Sequence, residues 1–365
     1  MKKNLLSYIY GIFILLVPFT ILSASLGDKA NNKPVVHILM PAYNADRYVQ
    51  AALQSVAAQD YPNLRLFILN DAATDKTAAV IEEYLALNPA LKAKVYLASN
   101  QSNLGVTMSR TKLLEWSKKV NPAAYICWLD TDDKYIDSHV VGAIMEQMQK
   151  TKADICLFDF AITYEDENQK KNAPQLLQAN TDNAKIINEI LSSPNQSVAP
   201  LQLPQLLRFT SLGWTKCYAP TITLPKPANR PFQDFVYMAA LLEAKTITAL
   251  PAEYKGIEYL RRSSSICGRR TNRTFTEDIP IQLLKFFDTV LVQSNNSENE
   301  LQKVTMAQEF VLRKLDDYSN LLNNLIKDKT FPDINDKTRV IYRDKIMFLE
   351  KYTNEAIQLI KDKQR

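Results

Sequence analysis

The sequence predicts an α/β fold in which a mostly parallel sheet is flanked by helices and followed by a C-terminal helical appendage. From Pro34 onward, short apolar runs alternate with segments whose apolar residues recur at helical spacing. The apolar runs are almost continuous, which is typical of parallel strands that are buried on both faces. Beyond about Glu300 only the helical spacing continues, so the appendage is predicted to be helical.

Four apolar runs are predicted to be strands of the sheet. They are residues 35–40, 64–69, 95–97 and 125–129. The residues at helical spacing between these runs are Val49, Ala52, Leu53 and Val56, then Ile81, Tyr84 and Leu85, and then the segment 106–119. Ligands of such sheets bind outside the carboxyl ends of the strands. The polar residues that follow each run are therefore the candidates for a site.

The later part of the chain changes in composition. Residues from about 165 to 204 are rich in Asn, Gln and Pro and predict a long loop, structure resumes around 213–219, and a helix follows Asp234. Two apolar stripes in the appendage predict a helical hairpin that packs on the preceding domain or on itself. The stripes are Val311, Leu315, Tyr318, Leu322 and Leu325, and Ile346, Leu349, Ala356 and Ile360. We therefore expect three regions, at residues 1–33, 34–290 and 291–365.

Composition excludes several classes of function. The net charge of +5, from 44 basic and 39 acidic residues, is too small to indicate a nucleic-acid partner. The chain has 7 glycines and neither a GxxxxGK[ST] nor a GxGxxG motif, which excludes a glycine-rich phosphate loop. Only two histidines occur, His37 and His139, and they leave little for zinc or triad chemistry. The four cysteines are too few for a disulfide scaffold.

The first 33 residues are predicted to be a targeting segment. Lys2 and Lys3 precede an apolar stretch at residues 5–24, which is followed by small and then polar residues. The stretch is about long enough to span a bilayer as a signal-anchor, and it also has the layout of a cleaved signal peptide. The basic residues ahead of it favour a cytoplasmic N-terminus and an exported body. We therefore expect a protein that is membrane-associated or exported, and the side of the membrane stays open.

Three predicted strand ends form the candidate site. They supply residues 41–44 (PAYN), 70–71 (ND) and 130–133 (DTDD). A ring, a lone carboxylate and a carboxylate cluster at one edge fit a nucleotide-diphosphate sugar, whose base stacks on a ring and whose diphosphate needs a divalent cation. Mn²⁺ and Mg²⁺ prefer carboxylate oxygens, so Asp132 is the first candidate ligand, with Asp130 toward the ribose. The same acidic cluster is also typical of a turn that caps a helix.

The order of these motifs resembles the family 2 glycosyltransferases, whose fold is the Rossmann-like GT-A type. VHILMPAYNADRYVQAALQSVAAQDYPNLRLFILNDAATDKT is similar to the family's opening, with its PxYN, SxxxQ and DDGSxDxT segments in that order and spacing. SNLGVTMSRT resembles the family's NxGxxxARN helix start, and ICWLDTDDKYID resembles its metal-binding segment. The later blocks are WTKCYAP with Lys216, PFQDFVYMAALLEA with Asp234, and YLRRSSSI with Tyr259, Arg261 and Ser265. The resemblance covers about residues 34–270.

This resemblance implies an inverting, non-processive glycosyltransferase of the hexosyl or N-acetylhexosaminyl type. Its donor would be a nucleotide-diphosphate sugar, with a UDP-type nucleotide favoured, and its cofactor would be Mn²⁺ or Mg²⁺. Its acceptor would be a hydroxyl group of a glycan, a lipid or a protein. The sequence lacks the QxxRW motif of processive polysaccharide synthases, which favours the transfer of a single sugar.

Position in the family's motifs implies a role for each candidate residue. Asp234 would be the general base that deprotonates the acceptor hydroxyl, and Asp132 would hold the metal that bridges the diphosphate. The residues that would bind the donor are Pro41, Tyr43, Asn44, Asp71, Arg110, Asp130, Thr131 and Arg261. Within that set, Tyr43 would stack on the base, Asp71 would accept a hydrogen bond from it, and Arg110 would line the base pocket or fix Asp71. Arg261, or its neighbour Arg262, would contact the diphosphate.

Several departures from the family pattern keep alternatives open. Asn70 stands where the family has an acid, residues 72–73 are Ala-Ala rather than Gly-Ser, and Gln233 replaces a common Glu. These departures motivate a non-catalytic sugar- or partner-binding protein on a degenerate GT-A fold. A nucleotidyltransferase is a further alternative, but such enzymes usually carry a glycine-rich basic loop after the first strand, and ADRYVQ is not such a loop.

Overall fold

The structure is a computed structural model that describes residues 33–165, 188, 216–229, 234–262, 271–294, 299–328 and 333–364. Residues Pro34–Arg365 form one compact unit. The predicted targeting segment and most of the loop predicted at 165–204 lie outside the described residues. Among the residues that are described, no helix is both long enough and apolar enough to cross a membrane.

Ten strands and ten helices are described in this unit, together with a π-helical turn at Thr274–Asp278. The strands are β1 Val36–Ala42, β2 Leu64–Asn70, β3 Val95–Ser99, β4 Tyr125–Trp128, β5 Lys134–Tyr135, β6 Ile155–Leu157, β7 Asp159–Tyr164, β8 Lys216–Tyr218, β9 Ile247–Ala249 and β10 Lys255–Arg261. The helices are α1 Val49–Ala57, α2 Thr77–Leu87, α3 Pro89–Lys92, α4 Val106–Val120, α5 Val140–Thr151, α6 Asp234–Tyr237, α7 Ala239–Glu243, α8 Ile279–Ser294, α9 Glu300–Asp328 and α10 Asp336–Lys363. The predicted α/β class with a helical C-terminal region is confirmed.

Seven strands form the central sheet, in the order β3-β2-β1-β4-β8-β6-β9. β1 is an interior strand of this sheet and is buried along its whole length, as its unbroken apolar run predicts. β1 pairs in parallel with β2 and with β4, and Ala42 at the end of β1 lies opposite Asn70 at the end of β2. The loops that carry the predicted site therefore leave the sheet at the same edge.

The sheet is mixed because β8 runs antiparallel between β4 and β6. Cys217 of β8 lies opposite Cys127 on one side and opposite Cys156 on the other. All three thiols are buried and free, and burial raises the pKa of the Cys156 and Cys217 thiols. They act as small apolar side chains.

A second sheet of three strands, in the order β5-β10-β7, lies beside the site. β5 follows the acidic segment directly, and β10 pairs with it in antiparallel orientation, with Glu258 opposite Lys134. β10 also pairs in parallel with β7. This pairing brings the end of β10, about 130 residues further along the chain, next to the acidic segment.

The C-terminal helices pack on one another and on the rest of the unit, which confirms the predicted hairpin. The ring of Phe310 in α9 lies 4.8 Å from that of Phe286 in α8 and 6.3 Å from that of Phe235 in α6. The hydroxyl of Tyr342 in α10 donates to the backbone carbonyl of Leu315 in α9. Helix α8 runs across the boundary predicted at residue 290, and the division into two domains stays a prediction.

His37 is a buried titratable group between β1 and α4. Its Nδ1 lies 2.7 Å from the hydroxyl of Ser117, and its ring centroid lies 4.6 Å from that of Phe67. Burial, and to a smaller degree the charge of Arg65, lowers the pKa of His37 to about 4 from an ordinary value of 6.5. Its charged form is therefore disfavoured in the folded state.

We expect the free energy of unfolding to fall as the pH is lowered from about 6.5 to about 4. In this range the unfolded state binds a proton at His37 that the folded state does not bind, so stability is lost by up to about 3 kcal/mol. Urea unfolding across this range measures the slope, and His37→Gln should flatten it. His139→Gln is the control, because its imidazole is exposed and its pKa is raised by the hydrogen bond to Asp60. An unchanged slope in His37→Gln would contradict the assignment.

Candidate active site

Three carboxylates gather where β4 ends. One oxygen each of Asp130, Asp132 and Asp133 lies within 4.8 Å of the others. The turn between them is tight, since the backbone N–H of Asp133 donates to the carbonyl of Asp130 at 3.1 Å. Hard divalent ions prefer such oxygen donors. The cluster therefore offers the donor set of a divalent metal site at the edge of the sheet where the sequence predicted one.

Asp133 carries a buried oxygen without a partner. Its Oδ1 accepts from the backbone N–H of Leu260 at 3.1 Å, whereas its Oδ2 has no hydrogen-bond partner among the described residues. Burial, with the nearby charges of Asp132 and Asp130, raises the pKa of Asp133 well above its usual range. A buried, unsatisfied carboxylate oxygen is destabilising, and a bound cation would relieve that cost. The residues therefore fit a divalent ion, and the structure adds Asp133 to the ligand candidate Asp132.

Arg262 forms an ion pair with the predicted metal ligand. Its Nη2 and Nε lie 2.7 and 2.8 Å from Oδ2 of Asp132, and both side chains are mostly shielded from solvent. Burial raises the pKa of Asp132, while the charge of Arg262 opposes that rise. Arg262 follows Arg261, the last residue of β10. The sequence named both arginines as candidates, and the contact of Arg262 with the cluster depends on the pairing of β10 with β5.

Arg110 forms an ion pair with Asp130, the first carboxylate of the cluster. Helix α4 places its Nη2 2.7 and 2.8 Å from the two oxygens of Asp130. Its guanidinium carbon also lies 5.6 Å from the centre of the Trp128 ring, within the range of a cation–π contact. The sequence predicted that Arg110 lines the base pocket or fixes Asp71, and the structure adds that it orients Asp130.

Asp71 holds the loop that leads into α4. Its Oδ1 accepts from the amide of Asn100 at 2.7 Å and from the backbone N–H of Leu104 at 2.9 Å, and its Oδ2 accepts from the N–H of Gly105 at 2.8 Å. Its side chain is buried. A carboxylate at the start of α4 also interacts favourably with the positive end of the helix. Its predicted contact with a nucleobase stays a prediction.

Gly105 has a backbone conformation that favours glycine. Its φ of 87° and ψ of 155° lie in a region that residues with a Cβ rarely enter. We expect Gly105→Ala to lower the free energy of unfolding by about 1–3 kcal/mol, since the loop held by Asp71 must distort. Urea unfolding measures this, with Ser102→Ala on the exposed part of the same loop as the control. Equal stability of the two variants would show that the loop has no such strain.

The segments after β1 and β2 are tied together. Asn44 has a φ of 46°, and its Oδ1 accepts from the backbone N–H of Thr74 at 2.9 Å. Tyr43 precedes it and is 44% exposed, so its ring is accessible at this edge. Pro41 is buried in β1, and Thr131 is buried within the acidic turn. The predicted donor-binding residues that follow β1, β2 and β4 thus lie at the same edge of the sheet, where these strands end.

Comparison with known proteins identifies the family of this region. Residues 37–201 match the sequence profile of "Glycosyl transferase family 2". This part of the chain belongs to glycosyltransferase family 2. The matched residues include β1 from His37 onward, β2, the Asp71 loop and the whole acidic cluster.

Similar sequences are found among bacterial glycosyltransferases. The chain is 29% identical over 130 residues to TuaG of Bacillus subtilis, named as a teichuronic acid biosynthesis glycosyltransferase, covering 36% of this chain and 47% of TuaG. It is 29% identical over 128 residues to the hyaluronan synthase of Pasteurella multocida, covering 35% of this chain and 12% of the synthase. The chain thus spans about half or less of the length of these curated relatives.

Solved structures confirm the predicted GT-A fold. Residues 1–349 of S. aureus TarS match with a TM-score of 0.53 and 16% identity, covering 89% of this chain and 91% of that chain. The same TarS fragment in complex with UDP-GlcNAc matches with a TM-score of 0.54. At this level of identity the likeness shows the fold alone.

The turn after β2 is well formed although its residues depart from the family pattern. Ala72 has a φ of 55°, in the left-handed region that favours the glycine of the family motif. Asn70, in place of the family's acid, accepts from the backbone N–H of Ala73 at 3.0 Å through its Oδ1. The substitutions therefore leave a formed turn, which removes one reason for considering the fold degenerate.

The later family blocks are described in part. Asp234 is the first residue of α6, but its side chain, like Gln233 and Ser265, lies outside the described part of the structure. The residues that follow Asp234, from Phe235 to Leu242, are buried, so the start of α6 is fixed by the core. Arg261 pairs with Tyr164 in the register of β10 and β7. The roles of Asp234 and Arg261 stay predictions.

Proposed function

We propose that the protein is a metal-dependent, inverting glycosyltransferase that moves a single sugar from a nucleotide-diphosphate donor to a hydroxyl acceptor. The observation that carries the proposal is the acidic cluster, in which Asp132 and the unsatisfied Oδ2 of Asp133 lie at the edge of the sheet beside two arginines. A neutral sugar alone would not need this concentration of charge. A diphosphate with its cation does need it.

The donor is proposed to lie across the ends of β1, β2 and β4. Tyr43 offers an exposed ring for the base, and a UDP-type nucleotide is favoured by the family resemblance. Arg110 keeps Asp130 oriented through both carboxylate oxygens, and this supports the proposal that Asp130 accepts a hydrogen bond from a ribose hydroxyl. Because Arg110 is itself buried and contacts the Trp128 ring, we infer that this orientation is set before the donor arrives.

Asp132 and Asp133 are proposed to hold Mn²⁺ or Mg²⁺. A divalent ion bound there would offset the charge that develops on the departing nucleoside diphosphate. Asp234 is proposed to take the proton from the acceptor hydroxyl, which a single displacement at the anomeric carbon requires. The acceptor class is a hydroxyl of a glycan, a lipid or a protein. The apolar stretch at residues 5–24 adds the proposal that the protein is membrane-associated or exported.

A panel of sugar nucleotides tests the proposed function. The full chain is incubated with UDP-, GDP- and dTDP-sugars, in the presence of Mn²⁺ or of EDTA. Two quantities are measured for each donor: the release of nucleoside diphosphate and the melting temperature of the protein. We expect at least one donor to be hydrolysed in Mn²⁺ and not in EDTA. If no donor is hydrolysed, but one raises the melting temperature, the protein is a sugar-nucleotide binding module. If no donor does either, the proposed function is wrong.

A further inference from the structure

The guanidinium of Arg262 occupies one carboxylate oxygen of Asp132, the first candidate for a metal ligand. Its Nη2 and Nε both approach Oδ2 of Asp132, at 2.7 and 2.8 Å. The Asp132 and Arg262 side chains are 15% and 16% exposed. Two donors on one oxygen leave little room for a cation at the distance of about 2.1 Å that Mg²⁺ requires.

Arg262 also contacts the ring of Tyr48. Its guanidinium carbon lies 4.7 Å from the centre of the Tyr48 ring, within cation–π distance. The Tyr48 hydroxyl donates to Oε1 of Glu165 at 2.5 Å, and Arg47 pairs with the same oxygen at 3.1 Å. Arg262 therefore stands between Asp132 on one side and an aromatic ring with a nearby acid on the other.

A guanidinium and a divalent ion would compete for Asp132. Like charges at such short distances repel each other strongly where solvent is largely excluded. The ion therefore gains the full charge of Asp132 only if Arg262 gives up its contacts with Oδ2. A diphosphate beside the cluster would offer the guanidinium new anionic oxygens, to which arginine binds well through paired N–H groups.

The geometry points to Arg262 as the resident counter-cation of the metal site, which neutralises Asp132 until the ion and the diphosphate arrive together. Arg262 then exchanges Asp132 for the diphosphate, and Asp132 becomes free to bind the ion. The consequence is that metal binding is weak without nucleotide and that the two ligands bind cooperatively. This inference rests on the proposed function, because it requires a metal and a diphosphate at this site.

Mn²⁺ titration of the full chain, followed by electron paramagnetic resonance of the free ion, tests the exchange. It is performed with and without UDP on the wild type and on Arg262→Gln. Without UDP, we expect Arg262→Gln to bind Mn²⁺ about tenfold more tightly than the wild type. UDP should tighten Mn²⁺ binding about tenfold or more in the wild type and clearly less in Arg262→Gln.

Two further variants make the test specific. Arg47→Gln removes the same charge from the same network, but Arg47 pairs with Glu165 and not with Asp132, so its Mn²⁺ affinity should match that of the wild type. Arg262→Met keeps an apolar stem beside Tyr48 and should behave as Arg262→Gln does. It replaces Arg262→Gln if that variant does not fold.

The outcomes separate the inference from the proposed function. If UDP and Mn²⁺ bind but Arg262→Gln and Arg262→Met match the wild type in both states, the inference is overturned and the proposed function stands. If Arg47→Gln gains affinity as much as Arg262→Gln, the effect is one of general charge and the inference is also overturned. If no protein binds Mn²⁺ with or without UDP, both are wrong.

Discussion

Asp132→Asn should lower kcat/KM for sugar transfer by at least about a thousandfold. The amide keeps the size of the side chain but removes the charge that is proposed to hold the ion. Without that ion, the charge on the departing diphosphate is not offset, and a thousandfold loss corresponds to about 4 kcal/mol of transition-state stabilisation. The measurement is the release of nucleoside diphosphate under steady-state conditions, with Mn²⁺ affinity determined in parallel.

Asp344→Asn is the matched control for this variant. It makes the same chemical change on an exposed face of α10, and it should leave both kcat/KM and Mn²⁺ affinity unchanged. The melting temperature of Asp132→Asn establishes that the variant is folded. If Asp132→Asn retained more than about a tenth of the wild-type kcat/KM, Asp132 would not be the main ligand, and Asp133 would become the first candidate.

Asp234→Asn should lower kcat by about 10²–10⁴-fold, the range associated with the loss of a general base. The acceptor hydroxyl would then have to lose its proton without a positioned carboxylate. Binding of Mn²⁺ and UDP should stay at the wild-type level, because Asp234 is not proposed to contact either ligand. This pattern differs from that of Asp132→Asn, in which metal affinity and turnover should fall together.

The two readouts are compared on one preparation of each variant, by calorimetric titration with UDP and Mn²⁺ and by transfer assay. Unchanged binding with lost turnover would support a catalytic role for Asp234. Unchanged turnover would remove Asp234 from the proposal, whereas a pure binding module would bind UDP and show no turnover in either the wild type or the variant. If the variant lost both ligand binding and turnover, the substitution would instead have disturbed the buried start of α6.

The position of the site could be predicted from the sequence because it depends on local patterns. Unbroken apolar runs identify β1, β2 and β4, and parallel strands end at the same edge. The polar residues after these runs therefore had to lie near one another, and the register of Ala42 opposite Asn70 bears this out. The predicted acidic turn is likewise a short segment whose geometry depends on its own residues.

The partners of the two arginines could not be predicted in the same way. Arg262 reaches Asp132 only because β10 pairs with β5. β5 has just two residues, which is too short to produce an apolar pattern. Arg110 was placed in the site by its motif, but its pairing with Asp130 joins residues of different elements, 20 positions apart in the chain. Long-range pairing of this kind leaves no local signal.

Anomalous diffraction from crystals of the protein grown with Mn²⁺ and UDP would locate the metal ion. We predict one strong manganese peak about 2.1–2.3 Å from a carboxylate oxygen of Asp132 and bound also to diphosphate oxygens, with Arg262 on the diphosphate. A manganese peak away from residues 130–133, or no peak with Arg262 still paired to Asp132, would contradict the proposed metal site.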